Sequence, residues 1–167
     1  MKTLIAFATT HGCTEKAAYE LKEKIGEKTI IINLKQDNNP DISDFDRIII
    51  GGSIHAGSIQ KRVTEFTAIN LEKLLQKEIG LFICCMYEGE VANEQLKKAF
   101  PEKLHQIAKE EAIFGGAFDF KKMKFFERMI VKKVARVNES VSNVDHEKIN
   151  SFASKMDKIF NPFLFLV

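Results

Sequence analysis

The sequence predicts an open, doubly wound α/β fold in which a parallel sheet carries helices on both faces. Five short apolar runs alternate with longer segments of helical periodicity, which is the order of elements in βαβ units. The apolar runs are continuous rather than alternating, as expected of strands covered on both faces. With 167 residues, 45% of them hydrophobic, the chain has the size and composition of one ordinary globular domain.

The elements follow one another along the chain with clear boundaries. The apolar runs predict strands over Thr3–Ala8, Thr29–Asn33, Arg47–Ile50, Ile79–Met86 and Ala112–Phe118. Apolar residues at helical spacing predict helices from Thr14 onward, then over Gln60–Gln76, Asn93–Glu110 and Asp145–Phe160. Pro101 predicts a break in the third helix, and Asp145 is a residue type that caps a helix. Ligands of such sheets bind beyond the carboxyl ends of the strands, so the loops after strands one, three and four are the candidate site.

Charge and cysteine content exclude several classes of protein. Lys and Arg total 25 and Asp and Glu total 23, a net charge of +2 that does not indicate a nucleic-acid partner. The three cysteines lack a C-x-x-C pair and favour a reducing compartment, and the four histidines lack metal-ligand spacing, so we expect no metal. No apolar run is long enough to span a membrane, and the N-terminal run is too short for a signal peptide. We therefore expect a cytoplasmic protein.

The loop after the first strand predicts a phosphate site. It contains Thr9, Thr10, His11, Gly12, Cys13 and Thr14. A helix that begins here offers unpaired backbone N–H groups and the positive end of its dipole, while threonine hydroxyls add donors and the glycine allows close approach. The loop is neither G-x-G-x-x-G nor a P-loop, and it has no lysine, so a phosphomonoester fits better than a nucleoside triphosphate. The alternative is that Thr14 only caps the helix.

Residues Ala8–Thr14 (ATTHGCT) nearly match the phosphate loop of the flavodoxins, which reads roughly Thr/Ser-x-Thr-x-Gly-x-Thr. The chain resembles that family over nearly its whole length in the position of its strands and loops. The resemblance implies a flavodoxin-like, five-stranded parallel sheet of order 2-1-3-4-5, an FMN cofactor, and an FMN phosphate held by the loop from Thr9 to Thr14.

The loop after the third strand, from Gly51 to Ser58, contains three glycines that allow close approach of a flat ligand. The resemblance places this loop along the isoalloxazine ring, where a backbone peptide can turn at the flavin N5. The residues so assigned are Ser53, Ile54, His55, Ala56 and Gly57. The alternatives are a plain connection to the next helix and, for His55, either a proton donor or an exposed loop residue.

The loop after the fourth strand is assigned by the same resemblance to the other side of the ring. It contains Met86, Tyr87, Glu88, Gly89 and Glu90. Tyr87 is the candidate for stacking on the flavin, with a cover for the core as its alternative. The two glutamates either disfavour the reduced flavin anion or are simply solvated. The cysteines are interpreted as a small loop residue (Cys13) and core packing (Cys84 and Cys85).

A narrower resemblance is carried by Gly51–Gly57, within IGGSIHAGSIQKRVTEF, and by Phe126–Ile130, within GGAFDFKKMKFFERMIVKKVAR. Both stretches look like the menaquinone-dependent protoporphyrinogen oxidase group. That resemblance implies oxidation of protoporphyrinogen IX with a quinone acceptor in haem biosynthesis. The chain departs from the pattern between Glu88 and Lys109, which puts the substrate in doubt more than the FMN. No single catalytic acid or base is predicted, because the cofactor carries the redox chemistry.

Residues 119–136 form a basic segment with seven basic and two acidic residues, a net charge of +5, and a set of apolar residues. Such a segment suits the surface of an anionic membrane or the carboxylates of a porphyrin, or is an ordinary surface helix. Residues 161–167 form an apolar tail after a domain spanning residues 1–160. Two other functions stay open. One is an electron carrier with no small substrate, and the other is a phosphate-binding regulator, whose acidic cluster the strand ends lack.

Overall fold

A parallel sheet between two layers of helices organises the chain, as the sequence predicts. The computed structural model describes residues 1–118, 129, 132–133 and 141–157. The strands are β1 (Thr3–Ala8), β2 (Thr29–Asn33), β3 (Arg47–His55), β4 (Ser58–Ile59), β5 (Glu78–Cys84), β6 (Ala108–Ile113), β7 (Ala117–Phe118) and β8 (Val141–Ser142). The helices are α1 (Cys13–Ile25), α2 (Lys61–Leu74), α3 (Gly89–Ala99), α4 (Glu102–Ile107) and α5 (His146–Asp157).

The strand order is β2-β1-β3-β5-β6, with every neighbouring pair parallel. The short β4 pairs antiparallel with the end of β3, and β7 and β8 form a separate two-stranded ladder. Since β5 and β6 correspond to the predicted fourth and fifth strands, the predicted order and fold class are confirmed.

Both faces of the sheet are buried, which explains the continuous apolar runs. Along β1, Leu4, Ala6 and Ala8 belong to one core cluster, which α2, α3 and α4 cover. The intervening Ile5 and Phe7 belong to a second cluster, which α1 and α5 cover. Successive side chains of a strand point to opposite faces, so a strand in the middle of two helical layers needs an apolar residue at every position.

The predicted helix over residues 93–110 and the predicted strand over residues 112–118 are wrong at their junction. Pro101 ends one helix and starts another, as expected, but Ala108–Ile113 is strand β6. This strand lies at the edge of the described sheet and is half-buried along its length, so charged residues are tolerated in it. Each has a partner: Lys109 binds Glu78, Glu110 binds Lys155, and Glu111 lies 2.9 Å from His105.

Smaller differences concern element ends. Strand β3 runs five residues further than predicted, to His55, and β5 ends at Cys84 rather than at Met86. The expected cap of the last helix is confirmed, because the Asp145 carboxylate accepts a hydrogen bond from the Lys148 N–H at 3.0 Å. Residues 158–160 of that predicted helix, and the apolar tail 161–167, lie outside the described residues. Within the described part of the chain, every helix is too short or too polar to cross a bilayer.

Candidate functional site

The three candidate loops meet at one edge of the sheet because the strands before them are parallel and adjacent. Ala8, the last residue of β1, is paired with Gly52 of β3, and Ser53 of β3 is paired with Cys84, the last residue of β5. The loops that follow these strands therefore leave the sheet side by side, at the carboxyl edge where ligands of doubly wound folds bind. The order of the strands also reverses here, between β1 and β3.

The first loop is a tight turn that ends on an uncapped helix. The Thr9 hydroxyl accepts a hydrogen bond from the Gly12 N–H at 2.9 Å, and Gly12 has a left-handed backbone with φ of 87°. Helix α1 begins at Cys13, and no side chain caps its N-terminus. Its first-turn N–H groups have no acceptor within the helix, so they provide donors and positive potential for an anion.

The position of Thr14 excludes the alternative that this residue merely caps the helix. Gly12 holds the cap position, and Thr14 lies inside the first turn of α1. Its side chain is fully buried, and its hydroxyl makes no hydrogen bond of ordinary geometry with the described residues. The hydroxyl lies next to the Cys84 thiol, beneath the start of α1.

One buried thiol, Cys84, lies beneath this loop, and a second, Cys85, lies in the core on the opposite face of the sheet. Hydrogen bonding with the Cys13 thiol, reinforced by burial, raises the pKa of Cys84 well above its ordinary value, and the Thr14 hydroxyl opposes this only in part. Burial likewise raises the pKa of Cys85, whose thiol contacts the Tyr87 carbonyl oxygen at 3.5 Å. The thiols are therefore protonated at neutral pH, which agrees with the packing role expected for Cys84 and Cys85.

The second loop is shorter than predicted because part of it is strand. Ser53, Ile54 and His55 extend β3, and Ile54 pairs with Ile59 of β4 to close a hairpin. The turn consists of Ala56 and Gly57, with φ of 49° and 80°, and the exposed residues of the hairpin run from His55 to Ser58. The loop prediction is therefore wrong for Ser53–His55, since Ser53 pairs with Cys84 of β5, and Ile54 and His55 pair with β4.

The glycines before this hairpin do not make room for a ligand. A Cβ on Gly51 would lie 2.0 Å from Cζ of Phe82, and a Cβ on Gly52 would lie 2.7 Å from Cγ1 of Ile59. The space beside both α-carbons is thus filled by the protein's own core. Close approach of a flat ligand remains available at Gly57, where nothing lies within 4 Å of an added Cβ.

Two histidines face each other between the first and second loops. The ring centroids of His11 and His55 are 6.3 Å apart, with an interplanar angle of 68°. Both ring nitrogens of His11 are buried, whereas His55 is exposed. His55 is thus an exposed residue at the rim of the site, and this position leaves the role of proton donor open.

Gln60 is a site residue that sequence analysis missed. Its Oε1 accepts a hydrogen bond from the Ser53 N–H at 2.9 Å, and its Nε2 donates to the Thr10 hydroxyl at 3.2 Å and to the Ser53 hydroxyl. Gln60 precedes α2, and the β3–β4 hairpin returns it to the end of β3. Only this return brings residues 50 positions apart into contact, so no local pattern could have predicted the bridge.

The third loop presents an exposed aromatic ring at the same edge. Tyr87 is 52% exposed, so it does not cover the core, and Glu88 and Glu90 are exposed beside it. Helix α3 begins at Gly89, so Gly89 and Glu90 belong to its first turn rather than to a loop. The prediction of a continuous loop through Glu90 is therefore wrong, although its position at the carboxyl edge stands.

A glycine pair brings a fourth segment against this loop. The Cys85 N–H donates to the Gly115 carbonyl at 2.9 Å, and a Cβ on Gly116 would lie 2.8 Å from the Cys85 carbonyl oxygen and from Sδ of Met86. Strand β7 follows at once, and its partner β8 returns the chain. The described strands on either side of residues 119–140 therefore pair with each other, and the residue before β7 lies beside Met86.

That segment contains the basic residues singled out in the sequence. Most of residues 119–136 lie outside the described residues. Met129, Lys132 and Lys133 are described, and they are helical and exposed. The contact of this segment with a membrane or a ligand stays a prediction.

Comparison with known proteins assigns the chain to a protein family. A family model described as a flavodoxin domain matches residues 4–145. The protoporphyrinogen IX dehydrogenase (quinone) of Escherichia coli strain K12 is 24% identical over 177 aligned residues, which cover 93% of this chain and 94% of that protein.

Solved structures agree on the fold. Flavodoxin 2 of Bacillus cereus superposes with a TM-score of 0.60 at 22% identity, covering 93% of this chain and 97% of that one. Flavodoxin 1 of the same organism gives a TM-score of 0.58 at 20% identity, covering 96% and 100%. The chain covers only 35% of the rubredoxin oxygen:oxidoreductase of Desulfovibrio gigas, which matches 93% of this chain with a TM-score of 0.54 and 18% identity.

Proposed function

This chain belongs to the flavodoxin domain family and is an FMN-binding, flavodoxin-like oxidoreductase, and on that premise we propose that it oxidises protoporphyrinogen IX to protoporphyrin IX with a quinone as acceptor, a step of haem biosynthesis. The substrate is suggested by the E. coli relative, whose similarity extends over 93% of this chain. The observation that supports the proposal is the pairing of β7 with β8, the described strands on either side of the basic segment in the sequence. Gly116, immediately before β7, packs against Met86, at the edge where the ring of FMN binds in our proposal.

The residues of the first loop fit the phosphate of FMN. The uncapped start of α1 and the left-handed Gly12 leave backbone N–H groups open, and the Thr10 hydroxyl of the same loop is exposed. A phosphate supplies acceptors for both. We assign its binding to the whole loop: Thr9, Thr10, His11, Gly12, Cys13 and Thr14.

The ring lies between the second and third loops in this proposal. Ser53, Ile54, His55, Ala56 and Gly57 line one side, and Met86, Tyr87, Glu88, Gly89 and Glu90 line the other. The exposed Tyr87 ring offers an aromatic surface for stacking, and the open Gly57 allows a peptide to approach the flavin edge. When bound, FMN supplies the electron-pair acceptor at N5.

In this proposal, the basic segment binds the carboxylates of the substrate. A porphyrinogen carries carboxylates on its periphery, and residues 119–136 carry a net charge of +5. Oxidation of one porphyrinogen to the porphyrin releases three pairs of electrons and six protons, and three quinone molecules take these up to become three quinols. The same charge also suits an anionic membrane surface, where quinones are dissolved, so we propose peripheral contact with the membrane through this segment.

The decisive experiment measures porphyrin formation without oxygen. The purified protein is loaded with FMN, and protoporphyrinogen IX and a menaquinone analogue are added while porphyrin fluorescence is followed. We expect porphyrin to appear only when protein, FMN and quinone are all present. A protein that binds FMN and yields no porphyrin above the protein-free control contradicts the proposed substrate.

The phosphate site has its own test in Thr10→Val, which keeps the shape of the side chain and removes the exposed hydroxyl. We expect the affinity for FMN, measured by quenching of flavin fluorescence, to fall at least tenfold, because a hydrogen bond to a charged group contributes about 1.5–3 kcal/mol. Thr64→Val, on the exposed face of α2, is the matched control and keeps full affinity. Equal affinities in the two variants would reject the assignment of the loop.

A flavodoxin-type electron carrier without a small substrate is the second candidate. It is favoured by the exposure of Tyr87 and Val91, 52% and 50%, which leaves an apolar rim at the ring edge for a redox protein. FMN binding without porphyrin formation, together with electron transfer to a redox protein, would favour this function.

A further inference from the structure

We propose that Gln60 is a positioning residue that fixes the hydroxyls of Thr10 and Ser53 as hydrogen-bond donors toward the bound FMN, and so makes the site select the phosphorylated flavin. This inference rests on the proposed phosphate site. It concerns a residue that lies outside all three loops and whose side chain connects two of them.

The orientation of the Gln60 amide is determined by its contact with the backbone. The Ser53 N–H can only donate, and it lies 2.9 Å from Oε1 of Gln60. The oxygen end of the amide must therefore face Ser53 N, and the nitrogen end must face the two hydroxyls. Exchanging the two ends would set the NH₂ group against an N–H donor, which is unfavourable.

This orientation of the amide leaves the hydroxyls of Thr10 and Ser53 free to donate their protons to another acceptor. Nε2 of Gln60 lies 3.2 Å from Oγ1 of Thr10 and is also bound to Oγ of Ser53. An NH₂ group has no lone pair to offer, so each hydroxyl accepts from it and keeps its own proton for another acceptor. Thr10 is exposed at the mouth of the first loop, where the proposed phosphate would accept that proton.

Packing against β3 holds the Gln60 side chain in place. Ile59, next to Gln60, is buried and paired with Ile54, and a Cβ on Gly52 would lie 3.1 Å from Oε1 of Gln60. The amide is thus packed against the backbone of β3 on one side and bonded to the first loop on the other. A fixed donor toward an anion costs no reorganisation when the ligand binds, which favours a phosphate over water.

Two substitutions of Gln60 distinguish the effect of its hydrogen bonds from the effect of its side-chain shape. Gln60→Met keeps the length of the side chain and removes its hydrogen bonds. Gln60→Glu keeps the shape but turns the nitrogen end into a carboxylate oxygen, which accepts from both hydroxyls and draws their protons away from the ligand. Gln106→Glu introduces the same charge at an exposed position of α4, near the end of the sheet where the strands begin. It serves as the matched control.

The measurement is the ratio of the dissociation constants of riboflavin and FMN, determined by fluorescence quenching on the full-length apoprotein. Riboflavin has the ring and the ribityl chain but no phosphate. We expect the preference for FMN to fall about fivefold in Gln60→Met and more than tenfold in Gln60→Glu, and to stay unchanged in Gln106→Glu. An equal loss of affinity for both flavins in Gln60→Met would mean a purely structural role and would overturn the inference.

A second measurement does not depend on the size of that loss. If Gln60 acts through Thr10, Gln60→Met has little further effect on the FMN preference in a Thr10→Val background. Additive effects in the double variant would contradict the inference.

The two proposals also fail separately, since a wild-type protein that does not distinguish FMN from riboflavin refutes the phosphate site itself. Thermal melting of each apoprotein identifies a variant that has lost its fold, in which case Gln60→Leu replaces Gln60→Met.

Discussion

The ring of Phe82 lies over the α-carbon of Gly51, its partner across β3 and β5, so that an added Cβ would stand 2.0 Å from Cζ of that ring. The ring also packs against Phe114 and Phe152, with centroids at 4.9 and 6.4 Å. The glycine therefore serves the core between the sheet and α5, although it stands next to the candidate site.

Gly51→Ala is expected to destabilise the protein by about 1–3 kcal/mol, because the Phe82 ring cannot move without displacing its aromatic neighbours. Urea unfolding of the apoprotein measures the loss. In a Phe82→Leu background the same substitution should cost less, since the smaller side chain leaves room for the methyl group. Equal costs in the two backgrounds would show that the contact does not limit this position.

Thr9→Val is expected to weaken FMN binding about fivefold. The hydroxyl of Thr9 accepts the Gly12 N–H at 2.9 Å and so holds the turn before α1, and a single hydrogen bond of this kind contributes about 1 kcal/mol. The dissociation constant from fluorescence quenching is the measurement. Thr9→Ser keeps the acceptor and should retain the affinity, whereas a loss as large as that of Thr9→Val would point to the methyl group instead.

Tyr87→Ala is expected to lower the affinity for FMN about three- to tenfold, since stacking of aromatic rings contributes about 0.5–1.5 kcal/mol beyond burial. Tyr87→Phe keeps the ring and serves as the control. Because Tyr87 is 52% exposed, neither change should alter the free energy of unfolding of the apoprotein appreciably. Unchanged FMN affinity in Tyr87→Ala would remove this residue from the proposed site.

The stability of the protein is expected to fall above about pH 9 through its buried thiols. The pKa of Cys84 is raised above its ordinary value of 9.0, so this group's contribution to stability is complete below that value and is lost as the pH rises toward the folded pKa. In that window the unfolded chain releases a proton that the folded chain keeps.

Chemical unfolding at pH 7 and pH 10 under reducing conditions measures this loss. Cys84→Ala should reduce the difference between the two pH values by about 1.4 kcal/mol per pH unit above 9, whichever way it changes stability at pH 7. The two proteins differ only at residue 84, so the comparison isolates this thiol. The same pH dependence in both proteins would mean that Cys84 does not remain protonated in the fold.

The errors in the sequence prediction have a common cause. At residues 108–110, the sequence predicted the end of a helix, but these residues begin strand β6, at an edge where its charged side chains find partners on α5 and β5. At Ser53–His55, polar and glycine-rich sequence suggested a loop, but pairing with β5 and β4 makes it strand. Local patterns report the preference of a segment, whereas pairing with another strand decides its structure.

The sequence by itself determined the order of the elements, the burial of both sheet faces and the position of the three loops, because hydrophobic periodicity and turn residues are local properties that survive in any context. Only the tertiary structure decided which glycines face the core, which side chains connect the loops, and that β7 pairs with β8. Gly51 and Gly52 looked like room for a ligand, yet Phe82 and Ile59 fill that space. The Gln60 bridge joins residues distant in sequence, and such contacts exist only once the parallel strands have placed their carboxyl ends at one edge.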